Sequence, residues 1–120
     1  MTGGLGLGKP ARLIKSSDFA EILNAPRDRV WRHQDPWFRV LSIESARPRL
    51  GMAIGKKWMP RAVDRNRVRR LIRESFRAHQ AKLPNRDFVV FARQNLRQYS
   101  SREIRNSLDD LMRAIMNHPN

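Results

Sequence analysis

The chain has no cysteine, which excludes disulfide bridges and thiolate metal sites and fits a reducing, cytoplasmic setting. It also lacks any apolar run near the roughly 20 residues that a bilayer crossing needs, so no membrane partner is expected. No basic lead with an apolar core and a small-residue cleavage site opens the chain, so no secretory signal is read. The histidines, His33, His79 and His118, stand far apart in sequence and at no metal-ligand spacing from one another or from a carboxylate pair. Each therefore reads as a surface or capping residue. No Gly-x-Ser-x-Gly elbow frames a nucleophile, and no acidic cluster is placed to hold two metal ions. The expectation is a chain with no catalytic residue, no metal site and no small-molecule substrate of its own.

Acidic residues are scarce too, at 11 against 25 Lys and Arg, for a formal net charge of +14 over 120 residues. Such a field points to nucleic acid or an anionic membrane surface, and the length fits one domain with one ordinary core. The charge is concentrated. From Lys56 to Arg77 there are nine basic residues (Lys56, Lys57, Arg61, Arg65, Arg67, Arg69, Arg70, Arg73, Arg77) against Asp64 and Glu74. That segment carries half of the chain's net charge.

The opening residues, 1–10, read as a flexible tail. Gly3, Gly8 and Lys9 nearly satisfy a phosphate-loop pattern, but Pro10 supplies no hydroxyl and interferes with the helix that should follow. The domain is expected over residues 11–117. Ser16 or Ser17 can cap a short helix with Phe19, Ile22 and Leu23 as its apolar positions. Residues 24–35 read as a loop, with Trp31 an anchor into the core. Residues 37–44 are a strand by their β-branched and aromatic content. Residues 49–57 alternate: Leu50, Met52 and Ile54 share one face, and Gly51, Ala53 and Gly55 the other. The bare face implies either a close neighbouring backbone or something flat lying against it.

Pro60 breaks the chain before a helix with an apolar stripe at Val68, Leu71, Ile72, Ser75 and Phe76. At about 100° per residue, Asn66, Arg69, Arg70, Arg73 and Arg77 fall together on one basic face, while Arg65 lands within the apolar arc and should point to the sheet. A solvated helix laced by i,i+4 ion pairs would have only Asp64 and Glu74 to draw on. A phosphate backbone answers such a face better. Residues 87–92 form a continuous apolar run of strand length, hence an inner strand. Ser100 to Glu103 is a capping box before a last helix with Ile104, Leu108, Leu111, Met112 and Ile115 at helical spacing and balanced charges. With no internal repeat, the order predicts an α+β sandwich centred on a strand-helix-strand unit.

At Lys56-Lys57 and from Arg65 to Phe76, the sequence resembles the protein subunit of bacterial ribonuclease P, whose signature is an Arg-Asn-Arg segment opening a basic helix. Further matches lie at Arg12-Leu13, Asp18-Phe19, Arg49 to Gly51, Asp87 to Val90 and the final helix over residues 101–116. The resemblance implies a two-layer α/β sandwich with a sheet of about four strands, three main helices and a left-handed β-α-β crossover containing the basic helix. It implies binding of the catalytic RNA subunit, ribonuclease P RNA, through Lys56, Lys57, Arg65, Asn66, Arg67, Arg69, Arg70 and Arg73. It implies that precursor tRNA is the second partner, its single-stranded 5′ leader held in a cleft by Phe19, Lys56 and Arg65. Catalysis and most of the Mg2+ then belong to the RNA, which makes the chain a subunit of an RNA-based endoribonuclease that matures the tRNA 5′ end. The family often repeats an aromatic one turn after Phe19, where this chain has Leu23. Its second-strand aromatic is replaced around Val40 or Leu41, unless Trp37 or Phe38 serves instead. Two rival readings are a stand-alone RNA-binding module and an intrinsic protein nuclease.

Overall fold

Residues 87–92 can be buried on both sides only if strands flank them and helices or loops cover their faces. In the computed structural model, which describes residues 16–118, this segment is strand β4 (Arg86–Ala92) inside a four-stranded sheet. The sheet is built in the order β1 (Trp31–Gln34), β2 (Phe38–Glu44), β4 and β3 (Arg49–Ala53). The β1–β2 and β2–β4 pairs are antiparallel and β3–β4 is parallel. The helices are α1 (Ser16–Leu23), α2 (Ala62–His79) and α3 (Ser101–Met116). This is the expected α+β architecture, with α2 crossing between neighbouring parallel strands. The expected tail, the near phosphate loop and the Arg12-Leu13 match lie outside the described residues.

Strand pairing sorts the side chains into two faces. One face carries Phe38, Val40, Leu50, Phe88 and Val90, which pack with the α2 stripe and with Ile104, Leu108, Leu111, Met112 and Ile115 of α3. The whole predicted α2 stripe, Val68, Leu71, Ile72, Ser75 and Phe76, is buried. Its one polar member is satisfied, because the Ser75 hydroxyl donates to Asp109 of α3 at 2.6 Å. Helix α3 begins at the predicted capping box: the Glu103 amide donates to Ser100 Oγ at 3.0 Å, and the Ser100 amide donates to Glu103 Oε1 at 2.9 Å.

The opposite face has a smaller cluster of Leu41, Ile43 and Val89 covered by Ile22 of α1, with Phe19, Ala25, Val30, Ala53 and Phe91 around it. Helix α1 thus covers part of the side of the sheet that α2 and α3 leave open. Of its predicted apolar positions, Leu23 does not join this cluster and stands 57 % exposed. The helix is eight residues long, and Ile22 with Phe19 already occupies the face it turns to the sheet. On the same face Arg49 and Asp87 form a bidentate ion pair at 2.7 Å across β3 and β4. Two motifs 38 residues apart in sequence are there one contact.

The segment expected as a loop over residues 24–35 contains a 3-10 turn (Arg27–Arg29) and strand β1. Trp31, expected to anchor into the core, is half-buried, joins neither core cluster and is held by stacking instead. It lies between the Arg86 guanidinium, 3.8 Å from its ring centroid, and the His118 ring, stacked at 3.7 Å. His118 Nδ1 in turn lies 3.1 Å from His33 Nε2. Two histidines far apart in sequence therefore meet where the end of α3 reaches the edge strand. His79, expected as a surface or capping residue, contacts the Ser75 carbonyl through Nδ1 at 2.8 Å.

Candidate nucleic-acid interface

Burying the α2 stripe against the sheet forces the opposite side of that helix outward. Asn66, Arg70, Arg73 and Arg77 are exposed and Arg69 is half-exposed. Little acid answers them. Arg70 pairs with Glu74 at 3.1 Å, but Glu74 also faces Arg105 of α3 at 3.5 Å. Arg69 donates to Asn66 Oδ1 at 3.3 Å, while Arg73 and Arg77 take no ion-pair partner among the described residues. The result is a row of guanidinium groups with donors unspent, held on a helix whose other side is fixed in the core. Arg and a backbone phosphate match in geometry as well as charge.

The other basic residues of this segment divide into different roles. Arg65 does not reach the sheet as the helical wheel predicts. Its guanidinium turns back and donates to the carbonyls of Met59 and Pro60 at 3.0 and 2.9 Å, clamping the loop that precedes α2. Those carbonyls sit at a helix start that has no side-chain cap, and a cation one turn into the helix reaches them without crossing the core. Arg67 points to the other flank, where it donates to Ser101 Oγ at 3.2 Å and to the carbonyls of Leu96 and Arg97. It links α2 to the start of α3. Lys56 and Lys57 are exposed on the loop between β3 and α2.

A second surface lies on the sheet face beside α1. Phe19 is half-buried against the Ile22 cluster, and Ala53 and Phe91 border it. The Arg39 guanidinium lies 5.4 Å from the Phe91 centroid. The β2–β4 register sets Arg39 opposite Phe91, and the β3–β4 register sets Phe91 opposite Ala53. Neither Trp37 nor Phe38 supplies an aromatic here: Phe38 is fully buried on the other face, and Trp37 packs on Tyr99 at 4.3 Å. Val40 also faces the α2 side, and Leu41 lies under α1. Sequence reasoning singled out neither Phe91 nor Arg39, whose pairing across β2 and β4 appears only in the register. The strand expected over residues 49–57 ends at Ala53, and in the loop just past it the backbone is open, since a Cβ on Gly55 would meet only the Lys57 nitrogen at 4.0 Å.

Among the described residues no group of three or more His, Cys, Asp or Glu side chains is close enough to hold a metal ion, and no helix is long and apolar enough to cross a membrane.

A family model described as ribonuclease P matches residues 7–116. The ribonuclease P protein component of Halorhodospira halophila is 37% identical over 111 residues, spanning 91% of this chain and 88% of that protein. The component from Pasteurella multocida is 38% identical over 109 residues, with 89% and 88% covered. Among solved structures, the RNase P protein of Staphylococcus aureus superposes with a TM-score of 0.74 at 29% identity, covering 86% of this chain and 93% of that one. The RNase P protein of Thermotoga maritima gives 0.68 at 28% identity, with 82% and 91% covered. The match runs through the basic helix, the paired Arg49 and Asp87 strands and the final helix alike, and the chain belongs to the ribonuclease P protein family.

Proposed function

We propose that this chain binds the catalytic RNA subunit of ribonuclease P through the outward face of α2 and, on the sheet face beside α1, the single-stranded 5′ leader of precursor tRNA. In this reading the holoenzyme hydrolyses one phosphodiester to produce the mature tRNA 5′ end, in the cytoplasm. The observation that carries it is the row Arg69, Arg70, Arg73 and Arg77, with Asn66, on a helix anchored by five buried residues and answered by little acid. Lys56 and Lys57 extend that row toward β3. Phosphates that contact it release counterions, so binding must weaken steeply with salt. Arg65 and Arg67 support the surface by holding the loop and the helix in place.

The leader surface combines Phe19 and Phe91 with Arg39, an aromatic floor with a cationic rim suited to stacked bases and their phosphates. Phe91 takes the place of the second aromatic that Leu23 does not provide. The phosphodiester chemistry lies in the RNA, with its Mg2+ supplying charge stabilisation there; this chain binds and orients. Phe19→Ala and Phe91→Ala each weaken precursor tRNA binding by the holoenzyme, by about 1–3 kcal/mol where one base stacks on each ring. The loss must vanish for tRNA without a leader. An equal loss with leaderless tRNA contradicts the assignment of this face.

A further inference from the structure

Trp58 is the most conspicuous residue that neither surface accounts for. It lies between Lys57 and Met59 on the loop joining β3 to α2 and is 41 % exposed, although its neighbour Met59 is fully buried. The loop that carries it is fixed on both sides. The Met59 amide donates to the Gly55 carbonyl at 3.2 Å, Met59 is sunk in the core, and Arg65 holds the Met59 and Pro60 carbonyls. An indole on a mobile loop loses freedom when a ligand orders it. An indole on a pinned loop is already ordered, so more of its contact energy appears as affinity.

The surroundings select the ligand. Lys57 Nζ lies 5.4 Å from the Trp58 ring centroid, and Lys56 and Arg61 are exposed nearby in the chain. No acidic residue occurs between Glu44 and Asp64. An aromatic face with an ammonium beside it, on the loop that leads into the arginine helix, is complementary to a flat base carried on a phosphate backbone. A second copy of this chain is a poor occupant, because each copy carries +14.

We propose that Trp58 is a stacking platform for an unpaired nucleobase of the RNA held by α2, a contact separate from the phosphate contacts of the arginine row and from the leader face. The inference rests on the RNA-binding reading above.

The test compares the full-length wild type, W58A and W58F for binding to ribonuclease P RNA and to heparin, a polyanion without bases. W58A is expected to lose about five- to a hundredfold in RNA affinity with the salt slope unchanged, because stacking and not a phosphate contact is removed. Heparin affinity should not change, and W58F should recover most of the RNA affinity. Equal RNA binding by W58A and wild type overturns the proposal alone. Parallel loss for RNA and heparin also overturns it, since the indole would then be supporting the loop. Failure of the wild-type chain itself to bind the RNA overturns the reading beneath it.

Discussion

Arg67 and Arg73 are six residues apart on one helix and differ in what their charge meets. The Arg67 guanidinium is engaged by Ser101 and by two carbonyls ahead of α3, whereas Arg73 is exposed. Arg67→Ala therefore destabilises the fold by about 1 kcal/mol, because two partly buried acceptors lose a charged donor, which urea unfolding would report. Arg73→Ala should leave the unfolding midpoint nearly unchanged and lower the salt slope of RNA binding by about 0.7–0.9. Helical periodicity sets Arg73 on the basic face and leaves Arg67 off it. It cannot see that a carbonyl 29 residues away claims one of them.

His33 carries a pH dependence at the same scale. Burial, with His118 and Arg86 beside it, holds its pKa below the ordinary 6.5. On the far side of Trp31, Arg86 is itself faced by Glu44 and Arg29. The neutral imidazole is thus favoured in the folded chain. Its contribution to stability is fully present above the unfolded pKa of about 6.5 and is lost as pH falls through that value toward the folded one. Wild type should therefore lose more stability than His33→Gln between about pH 7.5 and 5.0. Equal losses in urea titrations at the two pH values would show that this group does not titrate differently on folding.

Among the elements, α2 and α3 were legible because their signals are local and long. Five stripe positions of α2 are all buried, and the Ser100–Glu103 box forms both reciprocal bonds. Ser100→Ala should cost about 1 kcal/mol, with Ser100→Asp retaining most of the stability, as thermal or urea unfolding would measure. Strand β1 was not legible. It is four residues long, alternates Trp31 and His33 inward with Arg32 and Gln34 outward, and presents little that looks apolar. Its partners are supplied by β2 and the end of α3. Phe91 was hidden for the opposite reason: a continuous apolar run announces an inner strand without saying which side chains face which layer. Only the register with Arg39 and Ala53 assigns it to the α1 side. In the proposed leader face the second aromatic is supplied by β4, where the resemblance looked to β2 or α1.

At the scale of the whole molecule, +14 on 120 residues makes the folded chain repel itself and attract polyanions. The same salt screens both effects. Raising sodium chloride from low to moderate concentration should therefore raise the melting temperature of the free chain while weakening its affinity for ribonuclease P RNA. Calorimetry and filter binding in matched buffers would show the two trends. If both moved in the same direction, charge would not be the common cause.

In the proposed function the outward face of α2 joins this chain to a catalytic RNA that does the cleaving. Cleavage of precursor tRNA by ribonuclease P RNA at low magnesium, with and without the purified chain, tests it most directly. The wild-type chain should raise the cleavage rate well above that of RNA alone, and a folded Arg69→Ala, Arg73→Ala double variant should lose most of that rise. No increase with the wild type, or an undiminished increase with the double variant, would mean that this face of α2 does not serve the RNA.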